Sequence, residues 1–151
     1  MKEDIERIVA LYPPERRFAL AAMQDMQRQF NYIPAEGLDA LSAAMGIPIA
    51  QLYSMATFYR ALSLKPKGRH IIKICDGTAC HISGSEVLAA ALHDAIGIRP
   101  GEVTEDGAFS LETVNCLGSC AVAPVMLIDD THFGGVTPDR LAAIIEEVGA
   151  K

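Results

Sequence analysis

Four cysteines, arranged as two spaced pairs, constrain this chain more than any other feature of its sequence. The first pair is Cys75 and Cys80, with four residues between them, and the second is Cys116 and Cys120, with three. The sequence contains no other cysteine. Thiolates are soft, charged ligands, and paired thiols on two separate loops are typical of a site for zinc or for an iron–sulfur cluster.

The spacing of the two pairs favours an iron–sulfur cluster over zinc. Structural zinc sites most often take their ligands from tight Cys-x-x-Cys turns, whereas both loops here are wider. A [2Fe–2S] cluster contains two irons, so it takes a pair of thiolates at each end, from loops that need not be tight. Zinc stays open as an alternative. Two disulfides are the weakest alternative, because residues 1–7 show no secretory signal that would indicate an oxidising compartment.

The composition excludes two classes of partner. The chain has 151 residues with 13 basic against 19 acidic side chains, a net charge of −6, and its lysines and arginines are scattered along the sequence. A nucleic-acid-binding protein usually shows a clustered basic patch instead, so we expect no nucleic-acid partner. No apolar run approaches the ~20 residues that a transmembrane helix needs, so we expect no direct membrane insertion. The first residues lack the Arg-rich, acid-poor pattern of a mitochondrial presequence, so we expect a bacterial cytoplasmic protein, either free or on the cytoplasmic face of a membrane complex.

The first part of the chain has the periodicity of helices and no strand alternation. We predict helices that begin near the N-terminus, at Pro14, at Pro34 and at Pro48, and Gly46 is placed to end the third of them. Their apolar residues, including the aromatic pair Phe58 and Tyr59, are predicted to form a packed core. The composition changes at residues 64–68, which contain a proline and a glycine between charged residues, so we place a domain boundary between residues 65 and 66.

After this boundary, strands alternate with helices. An apolar run over residues 70–74 predicts a strand that ends at Cys75. The capping-box pattern of residues 83–86 predicts a helix that runs to Gly97 with Val87 on its inner face, which places Cys80 just before a helix N-terminus. Further predicted elements are a hairpin of strands 102–104 and 108–114, strands 125–128 and 131–133, and a last helix that begins at Pro138.

Several motifs spread over nearly the whole chain are shared with one known family. They are Thr57-Phe58-Tyr59, the two cysteine loops with their Cys116-Leu117-Gly118-Ser119-Cys120 sequence, Ala123-Pro124, and Phe133-Gly134-Gly135-Val136-Thr137-Pro138. With these motifs the chain resembles the small thioredoxin-like [2Fe–2S] ferredoxin subunit of NADH dehydrogenases. That subunit is found in respiratory complex I and in soluble NAD-linked hydrogenases and formate dehydrogenases.

The resemblance implies a fold, a cofactor and a role. It implies an α+β protein, with an N-terminal helical bundle at residues 1–65 and a thioredoxin-like [2Fe–2S] ferredoxin domain at 66–151. It also implies a [2Fe–2S] cluster ligated by Cys75, Cys80, Cys116 and Cys120. The implied role is electron transfer with an FMN- and NADH-binding subunit of the same complex, which contains further iron–sulfur or catalytic subunits.

The residues leave some questions open beside this interpretation. The sequence has no Rossmann glycine fingerprint and no phosphate loop, so we expect no complete active site in this chain. A structural zinc module and a thiol–disulfide oxidoreductase are the alternatives, although the Cys-x-x-Cys that exchange chemistry favours is absent. His81 is interpreted as a surface residue beside the cluster and not as a ligand. The resemblance implies a cis bond at Ala123-Pro124, whereas the sequence alone favours trans. Self-association into a homodimer is left open.

Backbone amides are the predicted stabilisers of the cluster. Four thiolates, two sulfides and two ferric ions carry a formal charge of about −2, and one added electron makes it about −3. N–H groups near Thr78 and Ala79, at the start of the helix after Cys80, and over residues 117–119 are predicted to donate to the sulfurs. The carboxylate of Asp76 is predicted to make reduction harder.

Overall fold

The computed structural model describes residues 1–149, and its contacts divide the chain between Pro66 and Lys67 into two compact units. The predicted second domain ends at residue 151, so residues 150 and 151 of that prediction lie outside the described part. No helix within the described range is long and apolar enough to span a bilayer. The first unit is helical, with α1 Lys2–Ala10, α2 Ala19–Phe30, α3 Ala35–Met45 and α4 Ile49–Phe58.

The first unit is held together by the apolar faces of its helices. Side chains that are almost fully buried come from every one of them and include Ile5, Met23, Met26, Leu41 and Leu52. The prolines and glycine that were predicted to bound α3 and α4 do so: Pro34 and Pro48 precede the two helices, and Gly46 ends α3 in the left-handed region at φ 64°.

Two predictions for this unit were wrong. The second helix does not begin at Pro14, because Glu15 is extended and a 3₁₀ turn at Arg16–Phe18 precedes α2. Phe58 and Tyr59 are not core residues: Phe58 is 79% exposed and Tyr59 41%. They lie where α4 ends, beyond the turns whose inner face Leu52 and Ala56 bury. A large apolar side chain at a helix end is not forced inward by the helical period.

The second unit is a sheet with helices. Its elements are β1 His70–Cys75, α5 Thr78–Ile82, α6 Ser85–Ile96, β2 Phe109–Val114, β3 Met126–Ile128, β4 Thr131–Phe133 and α7 Pro138–Gly149. The sheet has the order β2-β1-β3-β4, with β1 and β2 parallel and the other pairs antiparallel. Apolar residues of the sheet pack with those of α6 and α7 in one core, which includes Ile72, Leu111, Met126, Leu88, Leu92 and Leu141.

The strand directions bring the cysteine loops to one end of this sheet. Cys75 ends β1 opposite Val114, which ends the parallel strand β2. The carboxyl ends of parallel neighbours meet at the same edge, so the segments that follow them begin side by side. β3 runs the other way and therefore begins at that edge, where the N–H of Cys75 donates to the carbonyl of Val125.

Four local predictions for this unit were also wrong. Residues 83–86 form no capping box: α6 begins at Ser85, and Gly84 precedes it at φ 104°. Cys80 lies inside the short helix α5 and not ahead of a helix. Residues 102–104 form no strand; Val103 makes only an isolated bridge to Ser110. In addition, Val87 is 60% exposed, since α6 buries Leu88 and Leu92 instead.

Candidate metal centre

The four cysteine sulfurs are gathered at the end of the sheet described above. The structure shows each cysteine as a free thiol. The sulfur of Cys75 interacts with the thiols of both Cys80 and Cys116, and the Cys116 and Cys120 sulfurs lie 3.8 Å apart. These contacts connect all four sulfurs, with Cys75 joining the two loops.

The two loops differ in exposure. Cys75 and Cys80 of the first loop, residues 75–80, are buried, with 2% and 1% of their surface exposed. Cys116 and Cys120 of the second loop, residues 116–120, are exposed. One side of the sulfur group therefore faces the protein, where Val125 is buried and Leu117 and Ala123 are partly buried beside it. The other side faces outward.

Backbone N–H groups point at the sulfurs. Burial raises the pKa of the Cys75 thiol. The N–H groups of Gly77 and Leu117 donate to its sulfur, and so do the thiols of Cys80 and Cys116. These hydrogen bonds outweigh burial, so the pKa of Cys75 lies below its ordinary value. The N–H of Gly118 donates to the sulfur of Cys116 at 3.3 Å. Such donors favour thiolate over thiol, which is the form that binds a metal.

Burial and neighbouring sulfurs raise the pKa of two other thiols. Burial, followed by the hydrogen bond to Cys75, raises the pKa of Cys80, although the N–H of Val125 acts in the other direction. The hydrogen bond with Cys116 and the charge of that sulfur raise the pKa of Cys120. Adjacent thiolates repel, so bound cations are needed to hold all four in the ionised form.

The loops approach each other through a backbone contact that only glycine allows. A Cβ added to Gly77 would lie 2.5 Å from the carbonyl oxygen of Asn115 and 3.6 Å from the Cβ of Cys116. The N–H of Asp76 donates to the carbonyl of Val114 at 2.7 Å beside this contact. Gly77 thus sets how closely the first loop lies to the segment that leads into the second.

The chemical type of these donors fits a two-iron cluster. Soft thiolates with N–H donors around them are the surroundings that iron–sulfur clusters take in proteins. Within residues 1–149, no group of three or more His, Cys, Asp or Glu side chains has the geometry to hold a single metal ion. A binuclear cluster needs a different arrangement, because each of its two irons takes only two protein thiolates.

Part of this environment was predictable from the sequence. Amides over residues 117–119 were predicted as donors, and those of Leu117 and Gly118 do donate to sulfur. Donors were also predicted near Thr78 and Ala79, and the neighbouring Gly77 does donate, whereas the donor Val125 was missed. A glycine between two candidate ligands was a signal for Gly77, whereas Val125 reaches Cys80 only through the antiparallel return of β3. Ala123-Pro124 is cis, as the resemblance implied and against the expectation from the sequence alone.

The fold and the gathered thiols define a class of protein: a small α+β domain that presents four cysteines at one end of its sheet. The family model of the thioredoxin-like [2Fe–2S] ferredoxins matches residues 5–149. The chain belongs to this family, as the sequence predicted, and its cofactor is the [2Fe–2S] cluster that the family name states. The α+β fold class and the thioredoxin-like fold are confirmed with it.

Similar proteins come from several bacteria. An NADH-quinone oxidoreductase subunit of Rhizobium meliloti is 38% identical over 99% of this chain and 89% of its own length. The NADP-reducing hydrogenase subunit HndA of Solidesulfovibrio fructosivorans is 31% identical over 95% of this chain and 84% of its own. The crystal structure of an air-oxidised NAD⁺-reducing [NiFe]-hydrogenase matches with a TM-score of 0.72 and 26% identity, over 85% of this chain but only 22% of that one.

Proposed function

We propose that this chain is the electron-transfer subunit of an NADH-linked oxidoreductase and that Cys75, Cys80, Cys116 and Cys120 ligate its cluster. The observation that carries the proposal is the gathering of these free thiols at one end of the sheet, with N–H donors aimed at them. Each loop supplies one pair, which is the number of thiolates that each iron of a [2Fe–2S] cluster takes.

The cluster, when bound, accepts and releases a single electron. The residues of this chain decide how favourable that is. The N–H groups of Gly77, Leu117, Gly118 and Val125 point at sulfur and favour added negative charge. Burial of Cys75 and Cys80 excludes water from the inner side and opposes that charge.

Histidine takes no part in the proposed ligand set. His81 lies beside Cys80, but its ring Nδ1 is hydrogen bonded to the carboxylate of Asp76 at 3.1 Å. The four thiols already supply the ligands that a [2Fe–2S] cluster of this kind requires. His81 therefore lies beside the proposed ligands and is not one of them.

The partner is proposed from the relatives. Two of them are named as subunits, one of an NADH-quinone oxidoreductase and one of an NADP-reducing hydrogenase. We infer that this chain exchanges electrons with the flavin- and NADH-binding subunit of such a complex, through the side where Cys116 and Cys120 are exposed. That this complex lies in the cytoplasm stays a prediction.

Metal analysis and electron paramagnetic resonance test the proposal. Anaerobically purified protein is expected to contain about two irons and two acid-labile sulfides per chain, and to give a one-electron signal after dithionite reduction. NADH alone should leave the cluster oxidised, whereas NADH with the flavin-containing subunit should reduce it. Protein that holds one zinc and no sulfide would overturn the proposal, and so would a cluster that NADH reduces without a partner.

A further inference from the structure

The carboxylate of Asp76 joins two segments that follow the first buried cysteine. Its Oδ1 accepts hydrogen bonds from the ring Nδ1 of His81 and from the hydroxyl of Ser85, each at 3.1 Å. An ionised carboxylate only accepts hydrogen bonds, so Nδ1 of His81 carries the proton in this contact. One oxygen atom thereby connects the end of β1, the helix α5 and the first residue of α6.

The helix α5 needs support from outside itself. It contains five residues, Thr78–Ile82, and helices shorter than about 12 residues are only marginally stable alone in water. Its own bonds include those from the N–H of His81 to Gly77 and from the N–H of Ser83 to Ala79. Cys80 is carried by this helix, so the placement of its sulfur depends on what anchors α5.

The side chains of Asp76 and His81 are 52% and 54% exposed, and Ser85 is the buried end of the contact. The side chain of Ser85 is buried, with 2% of the residue exposed, and a buried hydroxyl without a partner would be costly. Residues 83–86 have the sequence of a capping box, yet no side-chain cap bond is formed at the start of α6. Ser85 is not one of the two side chains of that pattern, which are Ser83 and Glu86, and its hydroxyl donates to the carboxylate of Asp76.

Electrostatics alone would not place a carboxylate here. If the proposed function is right, the neighbouring cluster is itself an anion, and like charges at short range repel. We infer that Asp76 is a positioning residue: its carboxylate fixes α5 against the start of α6 and thereby holds Cys80 where it can share a cluster with Cys75. This inference rests on the proposed ligand set and extends it to a residue that binds no metal.

Variants at both ends of the contact test the inference in the full-length holoprotein. Asp76→Ala removes the acceptor, Asp76→Asn keeps an acceptor oxygen but removes the charge, and Ser85→Ala removes one donor. Glu86→Gln is the matched control, since it removes one carboxylate charge from the exposed neighbour of Ser85. The measurements are the rate at which excess iron chelator bleaches the cluster and the midpoint potential of the cluster.

Retention of the cluster should depend on the hydrogen-bond acceptor at residue 76, whereas the midpoint potential should depend on the charge there. Asp76→Ala is expected to lose its cluster about tenfold faster than wild type, as changes around a metal site commonly do, and Ser85→Ala to a smaller extent. Asp76→Asn should recover most of the retention, because its amide oxygen still accepts. Both Asp76 variants should raise the potential, since both remove a negative charge. General destabilisation would give no recovery by asparagine.

Wild-type rates of bleaching in both Asp76→Ala and Ser85→Ala would overturn the inference, and so would equal acceleration in Glu86→Gln. If Asp76→Ala does not fold, Ser85→Ala still removes half of the contact and decides the question. A wild-type protein without a [2Fe–2S] cluster would instead reject the proposed function, and the inference would fall with it. A cluster-bearing wild type whose variants do not differ rejects the inference alone.

Discussion

The two cysteine loops supply the same ligand chemistry but are built in opposite ways. The first loop buries both of its cysteines, continues a central strand, carries Cys80 on a helix and touches the backbone at Asn115. The second is exposed and turns at Gly118, where φ is 74° and a Cβ would meet nothing within 4 Å. The contrast shows how a redox centre can be anchored on one side and open on the other.

The largest expected effect comes from replacing one ligand in each loop. Cys75→Ser should abolish cluster binding, because Cys75 joins both pairs of sulfurs in a site with 2% exposure. Cys120→Ser should retain part of the cluster with an altered resonance signal, since the exposed position lets serine or solvent oxygen complete the iron coordination. Iron and sulfide analysis with electron paramagnetic resonance checks both.

Circular dichroism is the control for this comparison, because the first unit has its own core and should keep its helices in both variants. Equal loss of iron from the two variants would remove the distinction between an anchored and an open loop.

A smaller effect is expected from adding one methyl group to a glycine of each loop. Gly77→Ala would force a Cβ to within 2.5 Å of the Asn115 oxygen, which must separate the loops. Cluster affinity should fall by roughly 10- to 100-fold, the range found for changes around metal sites. Gly118→Ala meets no protein atom, so toward the rest of the chain it adds only the strain of a left-handed residue, about 1–2 kcal/mol.

Competition with an iron chelator would rank the two glycine variants against wild type. A larger loss for Gly118→Ala than for Gly77→Ala would contradict the importance of the backbone contact. The Gly118 variant is itself the matched control, since it adds the same methyl group to the other loop.

The smallest effect concerns the thiols of folded, iron-free protein. Iodoacetamide should label Cys116 and Cys120 roughly tenfold or more faster than Cys75 and Cys80, since buried thiols are protected even where, as at Cys75, hydrogen bonds lower the pKa. Mass spectrometry of peptides after short labelling pulses measures each site. Labelling in denaturant should equalise the four cysteines; rates that are already equal in the folded protein would show that the loops do not differ in accessibility without iron.

Motifs with a direct physical cause were predictable from the sequence. Prolines and a glycine bounded α3 and α4 where expected, and the apolar run over residues 70–74 gave the strand that ends at Cys75. The same holds for the cofactor and the family, because thiol spacing and the neighbouring motifs are local properties. The assignment of the four cysteines as ligands stays a prediction that the loop geometry supports.

Local patterns failed where the backbone conformation or the exposed position of a residue depends on more than its own sequence neighbours. Residues 83–86 have the two side chains that a capping box needs, those of Ser83 and Glu86, yet α6 begins at Ser85 after Gly84 and has no side-chain cap. Cys80 was expected ahead of a helix, but a helical turn too short to leave a periodic signal contains it. Phe58 has the apolar character of a core residue and is nonetheless 79% exposed.

The sequence by itself determined which atoms can bind metal and how far apart along the chain they lie, because residue type and spacing are covalent facts. Only the tertiary structure decided that β1 and β2 run parallel, that β3 returns beside them, and that Gly77 packs against the Asn115 carbonyl. Those relations join residues that lie far apart along the chain, and they depend on strand pairing and on close backbone contacts, which no local pattern encodes. They also separate a buried thiol pair from an exposed one.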